Sequence, residues 1–331
     1  MTRLKIGVAA ESLKLTTPFR IAGHVFDDCD VVCVTLDDGT HQGRGEASGV
    51  YYFGDDAAHM MAEIERVRGA IERGADRSDL RSILPPGGAR NAVDCAMWDL
   101  EAARAGMPVW KLAGLPEPRA LVTTFSLGAD APDDMAMKAS ALVDARSIKI
   151  KLTGHVELDI ARVRAIRAAR PDVWLSVDGN QGFERGDLDI LIPALVEQTV
   201  SLLEQPLARG DEAALEGLNS SIPIAGDESV ISLDDVAAAH GRFDVINIKL
   251  DKCGGLTEAL LMVAAARELE MAIMVGCMVG TSLGTAPSFL LGQLCDLVDL
   301  DGPMFLSQDR APSVVYREGT LFAHGDIWGG R

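Results

Sequence analysis

The sequence predicts an α/β protein in which an α+β domain, here called the capping domain, is followed by a closed parallel barrel of eight strands with seven helices between them. In residues 1–115, three strand-like stretches precede a series of helical stretches, the order expected of an α+β unit. In residues 116–302, strand-like and helical stretches alternate, which is typical of parallel strands joined by helices. We therefore place the capping domain at 1–115 and the barrel at 116–302.

The capping domain is predicted to begin with three strands. Alternating or β-branched patterns assign them to residues 5–15, 30–36 and 43–47. A loop over residues 16–24 is expected between the first two strands. Asp37-Asp38-Gly39-Thr40 is a typical hairpin turn and joins the second strand to the third.

Helices complete the capping domain. A polar and aromatic loop at residues 49–55 leads out of the sheet, and apolar side chains then recur at helical spacing over residues 56–72. A segment rich in small residues predicts a further helix over 91–105. The C-terminal tail, residues 303–331, has strand-like pieces and is expected to return to this domain.

The barrel is predicted from eight strand-like stretches with seven helices between them. The strands are assigned to residues 121–127, 147–152, 173–178, 202–204, 222–227, 245–250, 271–276 and 297–301. In barrels of this kind the chemistry is located at the carboxyl ends of the strands.

Composition limits the classes of function. The chain has 331 residues, a formal net charge of −18 and 48% hydrophobic residues, which indicates a soluble globular protein. The negative charge argues against nucleic acid and against anionic membrane surfaces as partners. Six cysteines without CxxC spacing and a start without a signal-peptide pattern favour a reduced, cytoplasmic protein. A homo-oligomer stays open.

Three acidic residues end successive predicted strands, namely Asp178, Glu204 and Asp227. Each alone could be a surface acid paired with an arginine, but all three occupy the same topological position. Three converging carboxylates would raise one another's pKa unless a cation joined them. Oxygen ligands with open positions suit Mg²⁺, so the sequence predicts a magnesium site here.

Lysines lie on both sides of these acids. Lys149 and Lys151 share one face of a strand, and Lys249 ends the strand that follows Asp227. Lys151 and Lys249 could act as an acid/base pair on opposite faces of a substrate, with Lys149 as a second cation for the oxyanion. Cationic crowding is expected to lower the lysine pKa values. A lone lysine could instead form a Schiff base, which the three acids disfavour.

Five short motifs then resemble successive signatures of the enolase superfamily, and more narrowly of its muconate-lactonizing subgroup. They are Lys149-Ile150-Lys151, Asp178-Gly179-Asn180, Glu204-Gln205-Pro206, Asp227-Glu228-Ser229 and Asn247-Ile248-Lys249. The resemblance covers nearly the whole chain, including residues 89–94. It implies an α+β capping domain over a modified (β/α)7β barrel of the TIM type, Mg²⁺ on the three acids, and Lys151 and Lys249 as the catalytic pair.

The eighth strand separates the reactions of this subgroup. Asp299 and Asp301 place two carboxylates on one face, and this Asp-x-Asp resembles the feature with which dipeptide epimerases hold a free α-amino group. Without the resemblance, the pair would be interpreted as a strand end with a solvated turn. The resemblance also implies substrate contacts; they fall on Thr124, Lys149, Cys277 and Val279.

Two loops of the capping domain are expected to set side-chain preference. They are residues 16–24, with Arg20 and His24, and residues 50–54, with Tyr51, Tyr52 and Phe53. Relatives that act on Ala-Glu often carry an arginine near the position of His24, and this chain has histidine there.

The resemblance implies a Mg²⁺-dependent dipeptide epimerase that inverts the α-carbon of the C-terminal residue of L-Ala-X dipeptides. L-Ala-D/L-Glu from peptidoglycan turnover is the leading substrate, with two-lysine proton transfer through a metal-stabilised enediolate. An N-acylamino-acid racemase or a cycloisomerase of the same subgroup is the alternative. A catalytically inactive barrel that serves as a binding or scaffold protein is a third.

Overall fold

The computed structural model describes residues 4–21 and 24–330. Its capping domain is built on an antiparallel sheet in the order β1-β2-β3. The strands are β1 (Lys5–Ile21), β2 (His24–Asp37) and β3 (Gln42–Ala47). Asp38 Oδ1 accepts hydrogen bonds from the backbone N–H groups of Thr40 and His41, which forms the predicted turn between β2 and β3.

The loop expected over residues 16–24 is wrong. β1 and β2 remain paired beyond a register irregularity between Lys14 and Phe19, and the pairing continues to Ile21 and His24. Residues 22 and 23 lie outside the described residues. Aromatic and β-branched side chains such as Phe19, Ile21 and Phe26 favour an extended conformation, so the predicted loop is the end of a long hairpin.

Four helices follow the sheet: α1 (Ala57–Glu72), α2 (Arg77–Ile83), α3 (Gly88–Ala105) and α4 (Val109–Leu112). Helix α1 buries the apolar residues of the predicted period. Helix α3 packs closely on β3, because a Cβ at Gly43 or Gly45 would lie within 2.2 Å of a backbone oxygen of the helix. The small residues of this segment therefore allow backbone-to-backbone packing.

The barrel is an eight-stranded parallel sheet in the order β5 to β12. It is preceded by β4 (Leu121–Val122), and its strands are β5 (Thr124–Leu127), β6 (Ser147–Lys151), β7 (Trp174–Asp178), β8 (Leu202–Glu204), β9 (Ile224–Gly226), β10 (Val245–Lys249), β11 (Ala272–Gly276) and β12 (Leu297–Asp299). Leu300 N–H donates to Thr123 Oγ1 at 3.0 Å, which links the two ends of the sheet. The predicted fold class is confirmed.

The barrel helices are α5 (Pro132–Ala141), α6 (Val156–Ala169), α7 (Leu188–Glu197), α8 (Leu233–Ala239), α9 (Leu250–Cys253), α10 (Leu256–Glu268) and α11 (Ser282–Gly292). The connection between β8 and β9 holds only a short 3₁₀ helix, Glu212–Leu215, so the expected helix there is wrong. Gly210 and Gly217 have positive φ on either side of it and interrupt helical structure.

The C-terminal tail contacts both domains. Strands β13 (Val315–Arg317) and β14 (Thr320–Phe322) form a small sheet with β4, which splits the predicted first barrel strand at Thr123. Further on, Trp328 Nε1 donates to Arg44 O at 2.9 Å and Gly329 N–H donates to Asp99 Oδ1 at 3.0 Å. The boundaries between the two domains stay a prediction. Within the described part of the chain, no helix is long and apolar enough to cross a membrane.

Candidate active site

Three carboxylates meet at the mouth of the barrel, under the capping hairpin. Asp178 ends β7, Glu204 ends β8, and Asp227 directly follows β9. Asp178 and Glu204 are register partners on adjacent strands, and all three acids are buried. The parallel strands thus bring together the three acids that the sequence singles out.

Lys149 lies among these acids. Its Nζ is 3.2 Å from Asp178 Oδ2, 2.7 Å from Glu204 Oε2 and 2.9 Å from Asp299 Oδ2, and the side chain is 1% exposed. An ammonium group buried without partners would be strongly destabilised. The surrounding carboxylates offset that cost, so Lys149 and the acids form one charge-compensated cluster.

Lys151 and Lys249 lie on opposite sides of the barrel. β6 and β10 are four strands apart in a ring of eight, so the two lysines that end them face each other across the mouth. Lys151 Nζ lies 2.6 Å from Asp178 Oδ2, and Lys249 Nζ lies 2.7 Å from Asp227 Oδ2. The structure therefore places one ammonium group on each side of Asp178, Glu204 and Asp227, which together are called the acid cluster below.

The expectation of lowered lysine pKa values is wrong for two of the lysines. Burial opposes the charged form of Lys249, but the Asp227 carboxylate outweighs it and raises the pKa of Lys249 above its ordinary value. The pKa of Lys149 is likewise raised, since Asp299, Glu204 and Asp178 outweigh its burial. Their immediate neighbours are carboxylates rather than cations. A lysine acting as a base must lose this ion pairing, which a cation on the same carboxylates would weaken.

Buried oxygen atoms without a hydrogen-bond donor are concentrated at this mouth. Within the described residues, the carboxylate and amide oxygens of this kind are Asn180 Oδ1, Glu204 Oε2, Glu228 Oε2, Asn247 Oδ1 and Asp299 Oδ1, and the Tyr52 hydroxyl is a further buried oxygen without a partner. Only the ion-pair contact with Lys149 reaches Glu204 Oε2. Buried acceptors normally have partners, so such a group of oxygens indicates a site that receives a cation or donor groups.

The donor set fits a hard divalent cation. It consists of carboxylate and amide oxygens only, and sulfur and imidazole are absent from it. Across residues 4–21 and 24–330, no three His, Cys, Asp or Glu side chains already stand in metal-binding geometry. In this arrangement the Lys149 ammonium lies between Asp178 and Glu204, while Lys151 pairs with Asp178 and Lys249 pairs with Asp227.

A fourth lysine, Lys252, was not singled out from the sequence. Its ammonium group is fully buried below the mouth and donates to Asp227 Oδ1 at 2.6 Å, to Val230 O at 2.9 Å and to Asn247 O at 3.0 Å. Burial opposes ionisation of Asp227, but Lys249 and Lys252 outweigh it and hold the pKa of that carboxyl well below its ordinary value. Lys252 therefore keeps Asp227 ionised and fixes one of its oxygens.

Amide side chains of the sequence motifs orient the acids. Asn247 Nδ2 donates to Glu204 Oε1 at 2.9 Å. Gln205 Oε1 accepts from the backbone N–H of Asp227 at 2.9 Å, and Gln205 Nε2 donates to Ser229 Oγ at 2.7 Å. The residues that flank the strand-end acids thus hold neighbouring strands in register at the mouth.

Asp299 and Asp301 lie beside this cluster. No lysine or arginine lies next to them in sequence, which predicts that they lack a cation within the chain, and this prediction is wrong for Asp299. Lys149 pairs with Asp299 Oδ2 across a sequence separation of 150 residues. Asp301 lies beyond the end of β12, where its Oδ2 accepts from the backbone N–H of Ser126 at 2.6 Å. Burial and the neighbouring Asp299 raise the pKa of Asp301 to about 7. A cavity lies at the barrel mouth between the strand ends and the capping hairpin, and both acids line it. A second cation in this cavity would relieve the repulsion between the two carboxylates.

The expected substrate contacts are placed differently from one another. Thr124 lies at the start of β5 and shares hydrogen bonds with Ser147 Oγ and Val298 O, so the structure does not bring it to the cavity. Ser126, two residues nearer the mouth on the same face, lines the cavity instead. Cys277 and Val279 line it as expected, although Val279 O already accepts a hydrogen bond from Ser48 Oγ.

The second specificity segment forms a 3₁₀ helix, Tyr51–Phe53. Tyr51 and Tyr52 line the cavity, and the Tyr52 hydroxyl is buried without a hydrogen-bond partner. Phe53 packs against Tyr52 with a ring-centre distance of 4.6 Å and is 41% exposed. Phe53 thus supports the segment from outside the cavity.

The two polar residues chosen from the first segment point elsewhere. Arg20 pairs with Asp130 at 3.1 Å on the outside of the hairpin. His24 packs against Tyr51 with a ring-centre distance of 4.8 Å and does not line the cavity. The hairpin residues that line the cavity include Phe19 and Phe26. Neither was chosen from the sequence, because the segment was predicted to be a loop.

Polar contacts fix the capping domain on the barrel. Glu46 at the end of β3 accepts from Thr281 N–H at 2.7 Å and from Arg310 Nε at 2.9 Å. Asp94 on α3 accepts from Thr257 Oγ1 at 2.5 Å, and Arg90 donates to the backbone of the α9 segment. The motif at residues 89–94 therefore holds the domains together rather than entering the cavity.

The fold and the site can now be compared with known protein families. A family model described as mandelate racemase / muconate lactonizing enzyme, N-terminal domain, matches residues 3–114, and one described as enolase C-terminal domain-like matches residues 134–303. The chain belongs to this branch of the enolase superfamily, which confirms the resemblance found in the sequence.

Particular relatives narrow the comparison. An Escherichia coli (strain K12) protein named L-Ala-D/L-Glu epimerase is 38% identical over 96% of this chain and 98% of its own length. A Pseudoalteromonas protein named N-acetyl-D-glutamate racemase is 38% identical over 79% of this chain and 82% of its own length.

Solved structures agree with the fold. An enolase family member from Agrobacterium tumefaciens, with homology to dipeptide epimerases and with bound sodium and L-Ala-L-Glu, has a TM-score of 0.93 at 38% identity. The match covers 98% of this chain and 100% of that one. A dipeptide epimerase from Enterococcus faecalis, complexed with Mg and L-Leu-L-Tyr, has a TM-score of 0.91 at 30% identity. That match covers 99% of this chain and 98% of the Enterococcus chain.

Proposed function

We propose that this chain is a Mg²⁺-dependent dipeptide epimerase, an isomerase that inverts the α-carbon of the C-terminal residue of L-Ala-X dipeptides. The observation that carries the proposal is the placement of Lys151 and Lys249 on opposite sides of a buried acid cluster. The epimerase names of the relatives and the Mg²⁺ and dipeptides in solved homologues support it.

Asp178, Glu204 and Asp227 would hold the metal ion. When bound, Mg²⁺ supplies electrostatic stabilisation for negative charge that develops on the substrate carboxylate. Asn247 and Gln205 keep the acid cluster oriented. The capping hairpin and the Tyr51–Phe53 helix cover the mouth and restrict the access of water to the reacting carbon.

The two lysines exchange the α-proton. With the substrate α-carbon between them, Lys151 Nζ removes the proton from one face and Lys249 Nζ delivers a proton to the other. The roles reverse for the opposite stereoisomer. Because the ammonium groups exchange protons with solvent, the product carries a hydrogen that came from water.

The free amino group of the dipeptide would bind at Asp299 and Asp301. Asp299 Oδ1 is buried and has no hydrogen-bond donor, and Asp301, whose Oδ2 accepts from the backbone N–H of Ser126, lines the cavity. A substrate ammonium would supply the donor that Asp299 Oδ1 lacks and a second positive charge, besides Lys149, next to the two carboxylates. This contact distinguishes a dipeptide from an N-acylated amino acid, whose nitrogen carries no charge.

An N-acylamino-acid racemase is the second candidate, and the relative named N-acetyl-D-glutamate racemase favours it. It would use the same acids and lysines, as would a cycloisomerase. Neither substrate would need the Asp299 and Asp301 pair. An inactive binding barrel is disfavoured, because each residue of the acid and lysine set is present.

L-Ala-D/L-Glu, the substrate in the name of the Escherichia coli relative, is the reference dipeptide against which other dipeptides are compared. Peptidoglycan turnover is the proposed source of such a dipeptide. We also propose a cytoplasmic location, which the free thiol state of all six cysteines supports. A homo-oligomer stays a prediction.

The experiment is a panel of L-Ala-X dipeptides and N-acetylamino acids incubated with the enzyme and Mg²⁺ in heavy water. A dipeptide epimerase adds one deuterium to the C-terminal residue and yields both epimers, which mass spectrometry and chiral separation detect. Exchange restricted to N-acetylamino acids would replace the proposal with the racemase. Absence of exchange from every compound would favour the inactive barrel.

A further inference from the structure

Resting on the proposed epimerase activity, we infer that the second residue of the preferred dipeptide has an apolar side chain, and that Phe26 is a specificity-determining residue. The inference concerns the wall of the cavity that faces the substrate side chain. That wall is formed by the capping hairpin and by a 3₁₀ helix after β12, Gly302–Phe305.

Three sides of the cavity already have partners on the substrate. In the proposed mode of binding, the α-carbon would lie between Lys151 and Lys249, the carboxylate would face the acid cluster, and the amino group would face Asp299 and Asp301. Lys151, Lys249, Asp299 and Asp301 all line the cavity. The side left for the second residue's side chain is the hairpin wall. That wall is therefore the part of the site that can distinguish one dipeptide from another.

The hairpin wall is apolar. Phe26 packs against Tyr51 with a ring-centre distance of 5.1 Å, and Phe19 packs against Phe305 at 4.5 Å. Ile21, buried at 9% exposure, fills the space beside them. The burial of apolar side-chain surface on such a wall stabilises binding by about 25 cal/mol per Å².

The charged groups that the capping domain adds to the cavity lining are all carboxylates. They are Asp28, Asp30, Asp55 and Asp56. Within residues 4–21 and 24–330, the lysines that line the cavity are Lys149, Lys151 and Lys249, and no arginine lines it. A substrate γ-carboxylate at this wall would lose water without gaining a cation, which is unfavourable.

Three of the four acids already have partners, which leaves the exposed Asp30 as the acid that can attract a cationic side chain. Asp28 pairs with Lys14 Nζ at 2.9 Å. Asp55 accepts from the backbone N–H of Gly88 at 2.7 Å, and Asp56 accepts from His59 N–H at 2.8 Å and caps helix α1. Apart from Asp30, the surface that remains for the substrate side chain consists of aromatic and aliphatic side chains.

The test measures kcat/KM of the Mg²⁺-loaded enzyme for L-Ala-L-Phe, L-Ala-L-Leu, L-Ala-L-Glu and L-Ala-L-Lys. We expect the two apolar dipeptides to exceed L-Ala-L-Glu by about tenfold or more. Phe26→Arg places a cation on the wall. It should raise kcat/KM for L-Ala-L-Glu relative to kcat/KM for the apolar dipeptides by a similar factor. Val25→Arg is the matched control, since Val25 is the neighbouring residue on the opposite face, is 56% exposed and does not line the cavity.

The outcomes separate this inference from the proposed function. If L-Ala-L-Glu or L-Ala-L-Lys is the best substrate of the wild type, the inference is overturned and the epimerase activity stands. An equal shift in both arginine variants would also overturn the role of Phe26. If no dipeptide incorporates deuterium from heavy water, the proposed function itself fails.

Discussion

Lys151→Ala and Lys249→Ala are each expected to abolish epimerisation, with kcat reduced by about 10²–10⁴-fold or more, the usual contribution of a general acid or base. The reason is that inversion needs a proton donor and a proton acceptor on opposite faces of one carbon. Lys151 and Lys249 are diametrically placed in the strand order, and neither can reach both faces. The measurement is steady-state epimerisation followed by chiral separation.

Each alanine variant should keep one half of the reaction. The lysine that remains can still exchange the α-proton of the stereoisomer that presents its proton to that side, so proton NMR in heavy water should detect one-sided exchange. Lys138→Ala is the control, because Lys138 lies on the exposed helix α5 and pairs with Asp130. Epimerisation at the wild-type rate in either active-site variant would rule out the two-base scheme.

Asp227→Asn is expected to lose Mg²⁺ binding and activity together. Changes in groups that merely contact metal ligands cost about 10–100-fold in affinity, so neutralising a ligand should cost at least as much. The amide would also leave the buried ammonium groups of Lys249 and Lys252 without their carboxylate partner. Calorimetric titration with Mg²⁺ and the rate at saturating dipeptide give separate readouts of binding and catalysis.

Two controls make the metal prediction specific. Asp189→Asn makes the same chemical change on the exposed side of helix α7 and should leave both readouts unchanged. Wild-type enzyme in excess chelator should be inactive and should recover when Mg²⁺ is restored. Full turnover by wild-type protein shown to be metal-free would contradict the account.

The parts of the site that the sequence predicts are those with a repeating position. Asp178, Glu204, Asp227 and Lys249 each close one strand of a regular alternation, so topology alone places them at the same end of the barrel. The alternation of Lys149 and Lys151 likewise fixes their shared face. None of these inferences needs knowledge of a contact between distant segments.

The parts that the sequence does not predict depend on tertiary contacts. The pairing of Lys149 with Asp299 joins residues 150 positions apart, and it reverses the expected effect on the lysine pKa. Lys252 lies in a helical turn with no local pattern to mark it as buried. The hairpin was missed because Thr16, Pro18 and Gly23 are typical loop residues, whereas pairing with β2 keeps the segment extended as far as Ile21.

The measurement that tests the central claim most directly is kcat/KM for one dipeptide with a free amino group and for the same dipeptide N-acetylated. A charge-assisted contact is worth about 1.5–3 kcal/mol, and about 1.4 kcal/mol is a factor of ten. We predict that acetylation lowers kcat/KM by about tenfold or more in the wild type, and that Asp301→Asn, with Mg²⁺ binding intact, removes most of that difference. Equal kcat/KM for the free and the acetylated compound in the wild-type enzyme would contradict the assignment as a dipeptide epimerase.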